Sequence, residues 1–180
     1  MKILISGTPG TGKTSISKKL ANSLGMRYIS INDFAKENNM LKSIDKKRDC
    51  YIIDEKKLAE KIKEIEDDVI IEGHLAHFCT GDLIIILRAN PDQLKTRLAK
   101  RKWRSEKIRE NIEAEILGNC LIESSIPEKT IEFDTSSSDI ETCAAELETI
   151  IRTKKYQKYR PGAINWIKYI DKYQKKNINI

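Results

Sequence analysis

The sequence predicts an α/β fold, a parallel sheet covered by helices on both faces, and three observations carry that prediction. Short apolar runs alternate with amphipathic stretches along the chain, the order that builds parallel strands joined by crossover helices. Two of the runs, Val69-Ile70-Ile71 and Leu83-Ile84-Ile85-Ile86-Leu87, are apolar without alternation, as strands buried on both faces are. The first run leads straight into a glycine loop and a helix, so the chain opens on a strand–loop–helix unit.

In chain order, Lys2 to Ser6 reads as a buried strand, and the helical pattern from Thr14 places Ile16, Leu20 and Leu24 four apart. Arg27 to Ile31 is a second strand, with Asn32 or Asp33 capping the helix after it. Asn38 to Ile53 is polar and irregular. Asp54 caps an amphipathic helix carrying Leu58, Ile62 and Ile65. Val69 to Glu72 is a strand, Gly73 to Gly81 a loop, and Asp82 to Arg88 holds another strand. Pro91 suits the first position of a helix running through Leu94, Leu98 and Arg101. After the basic turn Lys100-Arg101-Lys102-Trp103-Arg104, a helix covers about Ser105 to Glu123 with Ile108, Ile112, Ile116 and Leu117 inward. Thr130 to Phe133 is the last strand, Thr135 to Ser138 a polar loop, and Asp139 caps a helix ending near Arg152.

At 180 residues the chain is one domain, or one domain with an appendage. No apolar run approaches the roughly 18 residues that span a bilayer, and the short N-terminal run is no secretion signal, so the expected location is cytoplasmic, with no membrane partner. Cys50, Cys79, Cys120 and Cys143 lie far apart without a C-x-x-C pair, which argues against zinc or a disulfide framework. Histidine occurs only as His74 and His77. The net charge of +6 is unevenly placed: Arg152 to Ile180 carries nine Lys or Arg against one acid, whereas residues 1–151 carry 24 basic and 26 acidic side chains.

The chemistry begins at Gly7-Thr8-Pro9-Gly10-Thr11-Gly12-Lys13-Thr14, which fits G-x-x-x-x-G-K-[ST] at every fixed position. The glycines let the backbone wrap a polyphosphate with its N–H groups turned inward, and the helix N-terminus adds partial positive charge. Lys13 then reaches the β- and γ-phosphates, and the Thr14 hydroxyl is placed to hold Mg²⁺. The motif therefore predicts binding of a nucleoside triphosphate. The guanine-reading N-K-x-D and the switch motif D-x-x-G are both absent from the sequence, and the short chain with arginines past its middle favours a small phosphotransferase over a GTPase. Glu72, closing a strand beside the loop strand, is the candidate metal carboxylate, and His74 follows it closely enough to reach the γ-phosphate or an attacking water. Arg97 and Arg101 are four apart and are read as sharing a helix face, with Arg104 in the turn; a mobile lid here would bring arginine onto the phosphates.

These residues resemble the adenylate kinase isoenzyme 6 family, in an archaeal-type form. The marks are the loop at Gly7 to Thr14, Asp33-x-x-Lys36, Asp49-Cys50-x-Ile52-x-Asp54, Glu72-Gly73-His74, Leu87-Arg88, and Arg97-Leu98-x-x-Arg101-x-Trp103. The resemblance covers most of residues 1–150 and implies a P-loop nucleoside monophosphate kinase fold with a five-stranded parallel sheet and a short lid. It further implies a monophosphate-binding arm at about 30–53 and a lid at about 100–110, and the charge distribution sets a basic C-terminal extension at 154–180 apart from a kinase core at 1–153. By the same likeness Gly10, Gly12, Lys13, Thr14 and Ser15 bind ATP, Arg101 reaches its phosphates, and Asp33 and Lys36 face AMP or another nucleoside monophosphate. Thr14 and Glu72 would hold Mg²⁺, and Lys13, Glu72, His74 and Arg101 would be catalytic. Thr135 to Ser138 and Arg101 would border the adenine. The chain departs from the family in having Glu72 where aspartate is usual, Lys36 where arginine is usual, and Lys102-Trp103 where Gly-Tyr is common.

Two functions are implied: ATP + AMP to 2 ADP, and ATP hydrolysis linked to small ribosomal subunit maturation. The second could stand with little genuine AMP kinase activity. The tail bears on it, because Lys154-Lys155-Tyr156-Gln157-Lys158-Tyr159-Arg160 interleaves cations that can neutralise phosphates with tyrosines that can stack on unpaired bases of ribosomal RNA. A small-subunit ribosomal protein would use the same charges. After Pro161-Gly162, Ile164, Trp166, Ile167 and Ile170 suggest a short amphipathic helix, which equally fits packing onto the body.

Overall fold

The computed structural model describes residues 1–45, 50–124 and 126–174. Its centre is a five-stranded sheet formed by β1 (Lys2–Gly7), β2 (Arg27–Ser30), β5 (Val69–Glu72), β6 (Leu83–Arg88) and β7 (Thr130–Asp134), in the order β2-β5-β1-β6-β7. Every neighbouring pair is parallel. The register sets Ile5 beside Glu72 and beside Ile85, so β1 lies in the middle with its carboxyl end flanked by β5 and β6. Strands leave β1 in both directions, and the crevice at such a reversal is where open α/β sheets take ligands.

Side-chain alternation divides the core into two layers. Ile3, Ile5, Ile70, Ile85 and Leu87 pack with α1 (Lys13–Leu24) and α7 (Ile140–Thr153) on one face. Leu4, Val69, Ile71, Ile84 and Ile86 face the other way, onto α2 (Ile31–Glu37) and α3 (Glu55–Lys63). Because both faces are covered, the inner strands β5 and β6 run apolar without alternation, whereas the edge strand β7 alternates as Thr130-Ile131-Glu132-Phe133-Asp134. Two further helices, α4 (Pro91–Ala99) and α5 (Ser105–Leu117), flank the basic turn, and the four-residue α6 (Asn119–Ile122) follows.

The caps at Asp54 and Asp139 form as expected, each carboxylate accepting the N–H three residues on. Other boundaries differ from the sequence reading. The cap of α2 is Ser30, whose Oγ accepts from Asp33 N, so Asp33 sits in the first turn and the strand ends one residue early. Part of the stretch read as irregular is an antiparallel hairpin, β3 (Leu41–Asp45) with β4 (Cys50–Ile53). Among the described residues these short strands pair with each other in a separate two-stranded sheet, and β3 (Leu-Lys-Ser-Ile-Asp) shows no continuous apolar run. Asp49 of the D-C-x-I-x-D segment lies outside the described residues. The helix expected through Glu123 stops at Leu117, because Gly118 turns left-handed at φ 71°; Leu117, expected inward, is 51% exposed. Helix α4 ends at Ala99, so Arg101 lies in the turn and shares no helix face with Arg97.

Beyond α7 the chain runs through two 3-10 turns, Tyr156–Tyr159 and Ile167–Tyr169, to α8 (Ile170–Gln174). Tyr156 and Tyr159 pack on the first core layer, with the Tyr159 ring stacked 6.0 Å from that of Phe133. Tyr173 is buried with Ile112 and Ile116 of α5, and Trp166, Tyr169 and Ile170 pack beside it. The tail's aromatics are therefore turned into the protein and its cations Lys154, Lys155, Lys158 and Arg160 outward. Residues 175–180 of the predicted basic extension lie outside the described residues.

Candidate active site at the phosphate loop

The loop from Gly7 to Gly12 joins the end of β1 to α1. Gly10 and Gly12 hold φ of 97° and 92°, the left-handed region that side chains avoid. A Cβ on Gly10 would also come within 2.8 Å of Leu94 Cδ1, so the loop lies tight against α4. Helix α1 has no side-chain cap at Gly12 and no acid in its first turn. Its N-terminal N–H groups and partial positive charge are left facing the loop, where a phosphate anion satisfies them.

Four of the expected residues meet here. Lys13 Nζ donates to Gly7 O at 2.8 Å and to Thr8 O at 3.1 Å, which draws the ammonium across the loop. Burial lowers its pKa from the ordinary lysine value, opposed first by the negative charge of Glu72. Thr14 Oγ1 donates to Glu72 Oε2 at 3.2 Å, so the hydroxyl and carboxylate expected to share a metal are already neighbours. His74 Nδ1 lies 3.4 Å from Gly7 O. Partial burial lowers the His74 pKa, and the charge of Lys13 lowers it further. Both effects favour the neutral ring, and a hydrogen bond donated by Nδ1–H to the Gly7 carbonyl would leave the lone pair on Nε2.

Tyr28 was missed by the sequence reading. Its hydroxyl donates to Glu72 Oε2 at 2.9 Å, and burial followed by that carboxylate raises the phenol pKa. Glu72, 7% exposed, is thus fixed by donors from β2 and α1 at the carboxyl edge of β5. The strand order that places β2 beside β5 brings Tyr28 here, and sequence spacing gives no sign of it.

The arginines divide. Arg97 Nη1 lies 3.4 Å from Gly10 O, and Nη2 donates to Thr135 O at 2.9 Å, so this side chain props the loop against the turn after β7. Arg101 is exposed in the turn after α4, its guanidinium 5.3 Å from the Trp103 ring, with Lys107 4.4 Å from the same ring. Its positive charge is one of the smaller causes that lower the Lys13 pKa, after burial. Ser15 is exposed in the first turn of α1. Asp33 and Lys36 are exposed on α2; Asp33 is near enough to Tyr28 to raise its pKa, whereas Lys36 stands one turn farther along.

A sequence profile described as an AAA domain matches residues 3–118. The protein named "Putative adenylate kinase" from Methanocaldococcus jannaschii is 43% identical, over 95% of this chain and 96% of the relative. The protein of the same name from Methanosarcina acetivorans is 39% identical, over 93% and 98%. Among solved structures, shikimate kinase from Acinetobacter baumannii in complex with shikimate aligns with a TM-score of 0.63 at 14% identity, covering 87% of this chain and 95% of that one. Shikimate kinase from Bacteroides thetaiotaomicron aligns at 0.60 with 19% identity, over 84% and 98%. At such identities the structural likeness speaks for the fold alone.

Proposed function

This chain belongs to the AAA domain family and, with its archaeal relatives, to the P-loop nucleoside monophosphate kinases, and we propose that it transfers the γ-phosphoryl group of ATP to AMP, giving two ADP. The observation that carries this reading is the meeting of Lys13, Thr14, Glu72 and His74 around one glycine loop at the carboxyl edge of the sheet. In that transfer an oxygen of the acceptor phosphate bonds to the γ-phosphorus while the bond to the β-phosphate oxygen breaks. Catalysis is then chiefly positioning and charge stabilisation. Lys13 and the N–H groups of α1 hold the β- and γ-phosphates. Arg101 joins them from the turn at residues 100–104 when that turn closes and excludes water. Asp33 and Lys36 on α2 face the acceptor.

Mg²⁺ is usually held by one or two protein groups together with phosphate and water. The Thr14 hydroxyl and the Glu72 carboxylate, 3.2 Å apart, fit that partial set. Bound there, the ion would neutralise charge on the transferring phosphates.

A second reading is ATP hydrolysis, favoured by the neutral His74 beside Gly7. A lone pair on Nε2 can orient a water as readily as an acceptor. Its link to ribosomal subunit maturation rests on the resemblance to isoenzyme 6 and on the outward cations of the tail, which we keep as a docking extension from residue 154 on a core of residues 1–153. No described helix is long and apolar enough to cross a membrane. The two activities separate at His74. In His74→Ala, phosphate release from ATP alone should fall about 10²-fold or more, the worth of an oriented general base, while ADP formation from ATP and AMP falls less. Equal losses in the two assays would remove His74 from water orientation.

A further inference from the structure

A buried ion cluster lies beneath the phosphate loop, and three separate segments of chain reach into it. Arg88, Glu115 and Glu132 are 3%, 1% and 1% exposed. Arg88 Nε donates to Glu115 Oε1 at 2.7 Å, and Nη1 to Glu132 Oε2 at 2.8 Å. Two carboxylates thus share one guanidinium, leaving a surplus negative charge out of water that requires further donors. Thr8 Oγ1 donates to Glu115 Oε2 at 2.6 Å, from the phosphate loop. Ala89 N donates to Glu115 Oε1 at 3.1 Å, from the end of β6. Ile164 N donates to Glu132 Oε1 at 2.7 Å, from the C-terminal segment.

Both outer ties sit at points of consequence. The Thr8 carbonyl accepts from Lys13 Nζ at 3.1 Å and from Thr11 Oγ1 at 2.9 Å, so the residue held by Glu115 is the hub of the loop. Just past Ile164, Tyr169 OH accepts from Asn90 Nδ2 at 2.7 Å and Lys172 pairs with Asp92, which fastens the segment to the start of α4. Tyr173 is buried against α5. The buried Glu115 carboxylate points at Thr8 from below, and its charge would repel a polyphosphate, so it acts through the threonine.

We propose that Glu115 is a positioning residue for the phosphate loop, and that the Glu115–Arg88–Glu132 chain makes seating of the loop and docking of the C-terminal segment favour one another. The inference rests on the reading that the loop binds a nucleoside triphosphate. Such coupling is reciprocal: ATP on the loop tightens the segment by as much as the segment tightens ATP.

The test titrates Mg-ATP by calorimetry into the full-length chain, parent and variants, and follows amide hydrogen exchange of residues 164–173 with and without ATP. Thr8→Val, which keeps the shape and loses the hydroxyl, should bind ATP about five- to tenfold more weakly, the loss one buried hydrogen bond carries. Thr8→Ser should recover most of the affinity. Glu115→Gln should weaken binding similarly, and the double variant should be no worse than the weaker single one, because both remove the same tie. ATP should slow exchange of the segment in the parent but not in Thr8→Val. Parent-like affinity in Thr8→Val, losses that multiply, or exchange indifferent to ATP in the parent would each overturn the coupling. Should Glu115→Gln not fold, the two Thr8 variants and the exchange measurement still decide. A parent that fails to bind ATP would instead sink the nucleotide reading, and this one with it.

Discussion

Lys13→Met is expected to abolish phosphoryl transfer and ATP hydrolysis together while the protein stays folded. The ammonium donates to Gly7 O and Thr8 O across the loop, and on nucleotide binding it exchanges those carbonyls for phosphate oxygens. Removing one preorganised electrostatic stabiliser of the transferring group costs roughly 3–4 kcal/mol, or about 10²- to 10³-fold in turnover. Burial that lowers the lysine pKa works in the same direction, since an ammonium short of water gains more from an anion. Methionine fills the space of the aliphatic stem, so the circular dichroism spectrum and melting temperature should stay close to those of the parent. Turnover within about fivefold of the parent would take Lys13 out of the role that the loop motif gives it.

Arg88→Met is expected to cause the largest loss of stability of any single change at the site. Among the described residues the guanidinium is the cation that pairs with both Glu115 and Glu132, and its removal leaves two buried carboxylates without their paired charge. Breaking a buried pair in this way costs about 3–5 kcal/mol, against a total of roughly 5–15 kcal/mol for a domain. For a chain of this size the melting temperature should fall by roughly 6–20 °C. The sign of the pH dependence follows from Glu115, whose burial raises its pKa above the ordinary 4.5 even with Arg88 present. A carboxylate with a raised folded-state pKa binds protons more readily in the native state. Its penalty is therefore full above that pKa and gone below the unfolded value. The Arg88→Met deficit should accordingly shrink as pH is lowered toward about 4.5. Thermal melts of parent and variant across that range check this. A deficit independent of pH would mean that lost packing, not unpaired charge, is the cause.

Local chemistry was legible in the sequence because it is written in adjacent residues. The loop motif, the caps at Asp54 and Asp139, the proline at the start of α4 and the unbroken apolar strands all state their geometry within a few positions. The misreadings lie where near-equivalent residues compete. Ser30 and Asp33 are both good caps, and the cap went to Ser30 because its Oγ meets Asp33 N just as β2 ends. Gly118 broke a periodicity that Leu117 prolonged by accident. What stayed invisible is long-range pairing of polar groups. Arg88 meets Glu115 and Glu132 across 27 and 44 residues, and Tyr28 meets Glu72 across 44. Glu72 and Arg88 stand out in the sequence, but the partners they meet, Tyr28, Glu115 and Glu132, read as ordinary residues until the sheet order brings them together. Arg97 shows the same limit: the charge suggested a phosphate ligand, whereas the fold uses it to hold backbone carbonyls.

The destination of the γ-phosphoryl group tests the proposed activity most directly. Full-length protein is incubated with Mg²⁺, AMP and ATP labelled at the γ-phosphorus, and the products are separated and identified. Transfer predicts that the label appears in ADP formed from AMP, in step with loss of ATP, and that omission of AMP leaves only slow release of phosphate. Label recovered solely as inorganic phosphate, at a rate indifferent to AMP, would contradict a kinase built on this loop.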